Sequence, residues 1–216
     1  MSKVDTQVLG QTPSIHRDMD REIAQEIVRE KDQGTEIAKQ VAIVIAASLF
    51  VALCARVTVP LPFTPVPLTL QNFGVLAVGL LLGSRRGFAA LALYLVEGAV
   101  GLPVFSPAVL GSGMAHLIGA TGGFLMAYPL VAFVAGWIYE RGSKNSSRRF
   151  AWAALSAVAA ELVLFAGGLS WLAVLTHSVS LALKFGLYWF VFAEIIKVLM
   201  AAGVAARWHQ NLSSHR

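Results

Sequence analysis

Charge nearly vanishes from this chain after residue 36, and that absence limits the fold more than any motif does. Residues 1–36 hold 13 of the 29 charged side chains; the other 180 residues hold 16, of which twelve are Lys or Arg and four are Glu. The whole chain is 56% hydrophobic and 13% charged, against about 25% charged in soluble domains. Too few charges remain to wet the surface of a soluble domain. The pattern calls for a lipid environment, where helices satisfy their own backbone hydrogen bonds.

Six apolar stretches carry that expectation: 40–55, 68–82, 87–104, 121–139, 150–169 and 185–206. Several are near the short limit for a span, which needs about 17–25 residues, and flanks such as Lys39 and Arg56 compensate by snorkelling. The expected fold class is therefore an all-α membrane protein, a bundle of six transmembrane helices. Three segments follow: a polar leader over 1–36, the helical domain over 37–208 and a tail over 209–216.

The remaining charges are sorted by link. Arg85 and Arg86 join spans two and three; Arg141, Lys144, Arg148 and Arg149 join spans four and five; Arg207 and Arg216 follow span six. The other links, 56–67, 105–120 and 170–184, hold only Arg56 and Lys184, each at a span end. By the positive-inside rule the N- and C-termini and the basic links are cytoplasmic and the uncharged links face outward. The net charge of +5 thus reads as membrane topology and not as affinity for nucleic acid. The leader is acidic and lacks an apolar core, so it does not read as a signal peptide. Met19, Ile23 and Ile27 recur every four residues in it, with Ala24 and Val28 beside them, which fits a short amphipathic helix or a solvated leader.

Two outward links are unusual. Residues 60–67 read Pro-Leu-Pro-Phe-Thr-Pro-Val-Pro, which cannot continue a helix. The segment from Gly101 to Gly123 is rich in glycine and nearly uncharged. Such backbone is either two exposed turns or two lids lining a cavity. His116 and His177 in the outward links read as ordinary loop histidines. Cys54, the single cysteine, reads as a small apolar residue.

Four ionisable residues fall inside apolar stretches: Glu97, Glu161, Glu194 and Lys197. At ~1.5 Å per helical residue, the three carboxyls lie roughly 16–20 Å from the inner arginines, near mid-membrane. Glu194 and Lys197, three apart, share a helix face and can neutralise one another. Glu97 and Glu161 leave an excess of negative charge. Costly groups at this depth point to a ligand cavity or to a proton pathway. Small residues recur every four positions at Ala42/Ala46, Ser48/Ala52, Gly79/Gly83, Gly83/Gly87 and Ala201/Ala205, which permits close helix packing. The sequence contains no nucleotide-cradling glycine-lysine loop, no metal cluster and no nucleophile triad, so neither enzyme activity nor a cofactor is expected.

From Val59-Pro60-Leu61-Pro62 through Thr64-Pro65-Val66-Pro67-Leu68-Thr69-Leu70-Gln71-Asn72-Phe73-Gly74 the sequence resembles the BioY family, the biotin-specific S subunits of energy-coupling-factor transporters. The resemblance continues at 79–87, at Tyr94 through Phe105, at Gly119-Ala120-Thr121-Gly122-Gly123-Phe124, at Gly168 through Ala173 and at Glu194-Ile195-Ile196-Lys197. It covers about residues 40–205. It departs where the family usually has Pro and Tyr and this chain has Ala120 and Phe124, and where Pro-Gly-Asp is replaced by Phe192, Ala193 and Glu194. The lost Pro-Gly leads one to expect a more regular span six.

The resemblance implies a substrate-binding set of Pro67, Gln71, Gly123, Phe124, Glu161, Trp171, Glu194 and Lys197. Glu194 or Glu161 would accept from the ureido N–H groups of biotin, and Lys197 would donate to the ureido oxygen or orient Glu194. Trp171 and Phe124 would pack on the bicyclic ring. Arg56 and Lys184 are candidate partners for the substrate carboxylate by charge and depth. The resemblance further implies a transmembrane coupling (T) subunit and ATPase subunits, with ATP used only by the latter. Docking is expected on span one, at Ala42 and Ala46 or at Ser48 and Ala52, and a homo-oligomer is also allowed. The implied location is the prokaryotic plasma membrane. An S subunit for another vitamin, and a proton-coupled carrier using Glu97, Glu161 and Glu194, remain the alternative readings.

Overall fold

The computed structural model describes residues 12–109, 113–143 and 148–214. The first eleven residues, Gly111, Lys144 and Arg216, which entered the sequence reading, lie outside the described residues, as do the side chains of Met19, Ile23, Ala24, Ile27 and Val28.

The first helix, α1 (Thr12–Arg56), runs without a break through the expected leader boundary at residue 36. The chain divides into two compact units, Met1–Ile43 and Val44–Arg216. Within the first, Lys39 pairs with Glu36 at 2.7 Å, an exposed contact one helical turn apart. Such surface pairs contribute little to stability.

The second unit is the helical bundle. After α1, the two-residue strands β1 (Thr58–Val59) and β2 (Leu68–Thr69) pair antiparallel, Thr58 opposite Thr69 and Val59 opposite Leu68. They close the proline-rich link into a strap. This pairing explains why the next helix, α2 (Gln71–Leu82), starts three residues later than its apolar run. A one-residue turn into α3 (Ser84–Ala99) requires Gly83 at φ +84°, a conformation glycine adopts without Cβ strain. Glu140 fixes that turn by accepting from the Ser84 amide and hydroxyl, both at 2.9 Å. The short α4 (Met114–Ile118) sits in the glycine-rich link. Beyond it come α5 (Gly122–Gly142), α6 (Arg149–Thr176), α7 (Val179–Leu183), a π-helical turn over Lys184–Tyr188 and α8 (Val191–Ser214).

Each of the six expected spans has a helical counterpart, and the chain is an all-α multi-pass membrane protein. Among the described residues, α5, α6 and the Asp32–Arg56 part of α1 are long and apolar enough to cross a bilayer singly. The sixth span is not the regular helix expected from the lost Pro-Gly. It is broken, with Val179–Tyr188 and Val191–Asn211 inclined at 46°. Contacts remote in sequence hold the break. The Thr64 hydroxyl on the strap donates to the Phe185 carbonyl at 2.7 Å, and Gly186 leaves room for Leu172 and Phe124. At α2 and α3 the helices are 12 and 16 residues long, shorter than the ~20 that a full crossing takes.

The bundle packs through small residues, as their spacing suggested. A Cβ on Gly79 would lie 2.5 Å from the Ala132 carbonyl oxygen, and one on Gly87 3.2 Å from the Gly79 Cα. Ala201 and Ala205 on α8 are fully buried. The outer surface stays apolar, with Leu53, Leu162, Val174 and Phe192 among the exposed side chains, as a lipid-facing bundle requires.

Candidate functional site

Helices α2, α5, α6 and α8 surround a cavity of about 60 Å³, partly open to solvent. Its walls are mainly apolar: Val66, Phe105, Phe124, Leu125, Leu164 and Phe190 all line it. Both uncharged links contribute, the strap through Val66 and Pro67, the glycine-rich link through Phe105, Ser106, Val109 and His116. Of the two readings of those links, lids over a cavity fits.

Beside this apolar space α2, α6 and α8 bring together a polar cluster. Asn72, at the start of α2, donates through one amide nitrogen to Glu161 Oε1 at 2.6 Å and to Glu194 Oε2 at 2.7 Å. Lys197 Nζ donates to the other Glu194 oxygen at 2.7 Å, which their three-residue spacing on α8 makes natural. All four residues are buried. The cluster holds two carboxyl groups and one ammonium. Asn72 Oδ1 and Glu161 Oε2 are buried with no hydrogen-bond partner, and buried polar atoms seldom stay so without a reason. Next to it, the Gln71 amide donates to Tyr94 Oη at 2.8 Å, and that hydroxyl donates to the Val104 carbonyl at 2.9 Å. This chain ties α2 to α3 and to the glycine-rich link.

The structure sorts the expected site residues. Pro67, Gln71, Phe124, Glu194 and Lys197 line the cavity, and Glu161 joins them through Asn72. Gly123 and Trp171 do not line it. A Cβ on Gly123 would meet the Gly167 carbonyl at 2.6 Å, so this glycine serves the close approach of α5 to α6. The Trp171 indole N–H donates to the Gly119 carbonyl at 2.9 Å, pinning the glycine-rich link to α6. Arg56 borders a neighbouring cleft and donates to the Pro103 carbonyl. Lys184 is exposed on the π-helical turn, beside a shallow groove with Tyr188 and Trp189. Glu97 takes the Ser48 hydroxyl as its partner and stays out of the cavity.

That contact also places the small residues of α1. Ser48 is fully buried and Ala52 packs against the core, so this pair turns inward, whereas Ala42 and Ala46 are exposed. Asn72 was missed as a site residue by sequence reasoning. Its signal was available: an amide inside an otherwise apolar run carries the same cost as the carboxyls that were noticed.

The BioY family profile matches residues 22–214. The biotin transporter BioY of Thermotoga maritima is 38% identical over 76% of this chain and 93% of its own length. The probable biotin transporter BioY of Pyrococcus horikoshii is 35% identical over 81% of this chain and 98% of its own. In fold, the chain is similar to the crystal structure of the S-component for biotin from an ECF-type ABC transporter. The TM-score is 0.72 at 22% identity, covering 82% of this chain and 93% of that one. With that much of its length matched by the family profile and by full-length relatives, the chain belongs to the BioY family.

Proposed function

We propose that this protein is the biotin-capturing S subunit of an energy-coupling-factor uptake transporter in a prokaryotic plasma membrane. The observation that carries the proposal is the Asn72–Glu161–Glu194–Lys197 cluster at an apolar cavity, in a chain whose relatives are named biotin transporters. Biotin presents a ureido ring with two N–H donors and one carbonyl acceptor, a sulfur ring and a carboxylate on an alkyl chain. Glu194 and the buried, unpartnered Asn72 Oδ1 accept the ureido N–H bonds. Lys197 orients Glu194 and donates to the ureido oxygen. Glu161 holds Asn72 in place. Phe124 and Phe190 pack on the fused rings, Pro67 and Gln71 shape the wall beneath the strap, and Gly123 and Trp171 act from outside the cavity by holding α5, α6 and the link together. Displacing water from such an apolar space strengthens each polar contact inside it.

The sorting of Lys and Arg among the links supports cytoplasmic termini. In this reading capture belongs to this chain, and the energy comes from a coupling subunit and ATPases, which use the ATP. Exposed Ala42 and Ala46 on α1 are the proposed docking residues for the coupling subunit. The role is transport and not catalysis.

Uptake of tritiated biotin by a biotin-auxotrophic bacterium tests the proposal. Uptake that depends on this chain and falls when the ATPases are removed supports it. Uptake abolished by a protonophore but indifferent to the ATPases supports a proton-coupled carrier. Absence of biotin binding and uptake supports a different vitamin.

A further inference from the structure

Away from the substrate cavity, α3 and α5 form a groove of their own on the outer surface. The two helices run antiparallel, and their contacts fix the register. Glu140 near the end of α5 holds Ser84 at the start of α3. Further along, a Cβ on Gly87 would lie 3.4 Å from that of Ala132. The rings of Phe88 and Phe133 then meet edge to face, with centroids 6.5 Å apart. The shallow groove left between the helices is lined by Arg85, Phe88, Leu130 and Phe133.

This groove has a charged mouth and an apolar floor. Arg85 lies in the basic link between the second and third apolar stretches. From it the floor descends through Phe88 and Phe133 to Leu130, roughly 9 Å deeper at ~1.5 Å per helical residue. Phe88 and Leu130 are exposed along it. The floor thus points from the edge of the apolar stretch into the bilayer.

No acidic side chain answers Arg85. Residues 44–216 contain four acidic residues, Glu97, Glu140, Glu161 and Glu194. Glu97 takes the Ser48 hydroxyl, and Glu161 and Glu194 belong to the buried cluster. Glu140 is the near one, and both of its oxygens are occupied by the Ser84 amide and hydroxyl. Arg141, its neighbour on α5, holds its guanidinium 4.0 Å from the centre of the Trp137 ring. Arg85 itself is exposed and, among the described residues, has no hydrogen bond or ion pair. A guanidinium is weakly hydrated and matches the oxygens of a phosphate two at a time. A lone one at the head of an apolar trough complements a molecule with an anionic head and a hydrocarbon tail.

We propose that the α3–α5 groove is a binding site for an anionic phospholipid, with Arg85 on the phosphate and the acyl chain along Phe88, Phe133 and Leu130. The charge sorting of the links puts this mouth on the cytoplasmic side, the leaflet in which anionic lipids attract basic segments. The site is separate from the substrate cavity and does not depend on which substrate that cavity takes.

Native mass spectrometry of the purified full-length protein, titrated with phosphatidylglycerol or phosphatidylcholine of the same acyl chains, tests the proposal. Wild type is expected to bind phosphatidylglycerol about fivefold more tightly, the effect of one arginine at a membrane surface, and to melt at a higher temperature with it than with phosphatidylcholine. Arg85→Gln should bind the two lipids equally, whereas Arg207→Gln, which removes the same charge from the exposed end of α8, should keep the preference. Leu130→Asn should weaken binding of phosphatidylglycerol while leaving its head group preferred. Inorganic phosphate should not displace the lipid. Equal binding of both lipids by wild type, a preference that survives Arg85→Gln, or displacement by inorganic phosphate overturns the inference. So does an Arg85→Gln variant that keeps its lipid preference and fails to co-purify with a coupling subunit, which would give the groove to a protein partner.

Discussion

Asn72 and Glu194 meet at 2.7 Å although 122 residues separate them in sequence. The contact joins α2 to α8 at the bundle's most costly place, where one amide serves two carboxyl groups. Replacing Asn72 by Leu leaves Glu161 and Glu194 facing each other without their shared donor. Biotin affinity is expected to fall about 10- to 100-fold, the cost of losing a hydrogen bond to a charged group. Isothermal titration of the purified variant measures it, and unchanged affinity would remove Asn72 from the site.

Lys197 and Glu194 form the buried ion pair of the cluster. Breaking such a pair from one side costs about 3–5 kcal/mol, because an uncompensated charge stays behind. Lys197→Met should therefore lower the melting temperature in detergent. The double variant Glu194→Gln with Lys197→Met should recover the melting temperature and still fail to bind biotin. Recovery of both would assign the pair to packing alone.

The strap is fastened to the broken sixth span by Thr64, whose hydroxyl reaches the Phe185 carbonyl at 2.7 Å. Val66 and Pro67, which line the cavity, lie just beyond. Thr64→Val keeps the shape and removes the bond, which is worth about 0.5–1.5 kcal/mol. Faster biotin release, by about 2- to 10-fold, with little change in association is the expected result in a stopped-flow or filter-binding chase. An unchanged release rate would show that this bond does not hold the strap.

Gly79 tests the packing of the bundle without touching the ligand. A methyl group there would lie 2.5 Å from the Ala132 carbonyl oxygen and 3.0 Å from its Cα, so backbone must move. Overpacking of this kind costs about 1–3 kcal/mol. Gly79→Ala should melt at a lower temperature in detergent; an unchanged melting temperature would mean that α2 and α5 have room to separate.

The sequence made the helices and the buried carboxyls legible, because hydrophobic length and intramembrane charge are local signals. Glu194 and Lys197 were visible as a pair from their spacing. What remained hidden depends on partners far along the chain. Glu97 and Glu161 looked equivalent by depth, yet Glu97 faces Ser48 and Glu161 faces Asn72. Trp171 looked like a ring for stacking, and its indole is committed to Gly119. The break in span six depends on Thr64, 121 residues before the carbonyl it holds.

Equilibrium binding of radiolabelled biotin to the purified protein and to Glu194→Ala, both checked for membrane insertion, addresses the central claim most directly. The account predicts saturable, high-affinity binding by the wild type and its loss in a variant that inserts normally. Undiminished binding by Glu194→Ala would contradict the assignment of the buried cluster as the capture site.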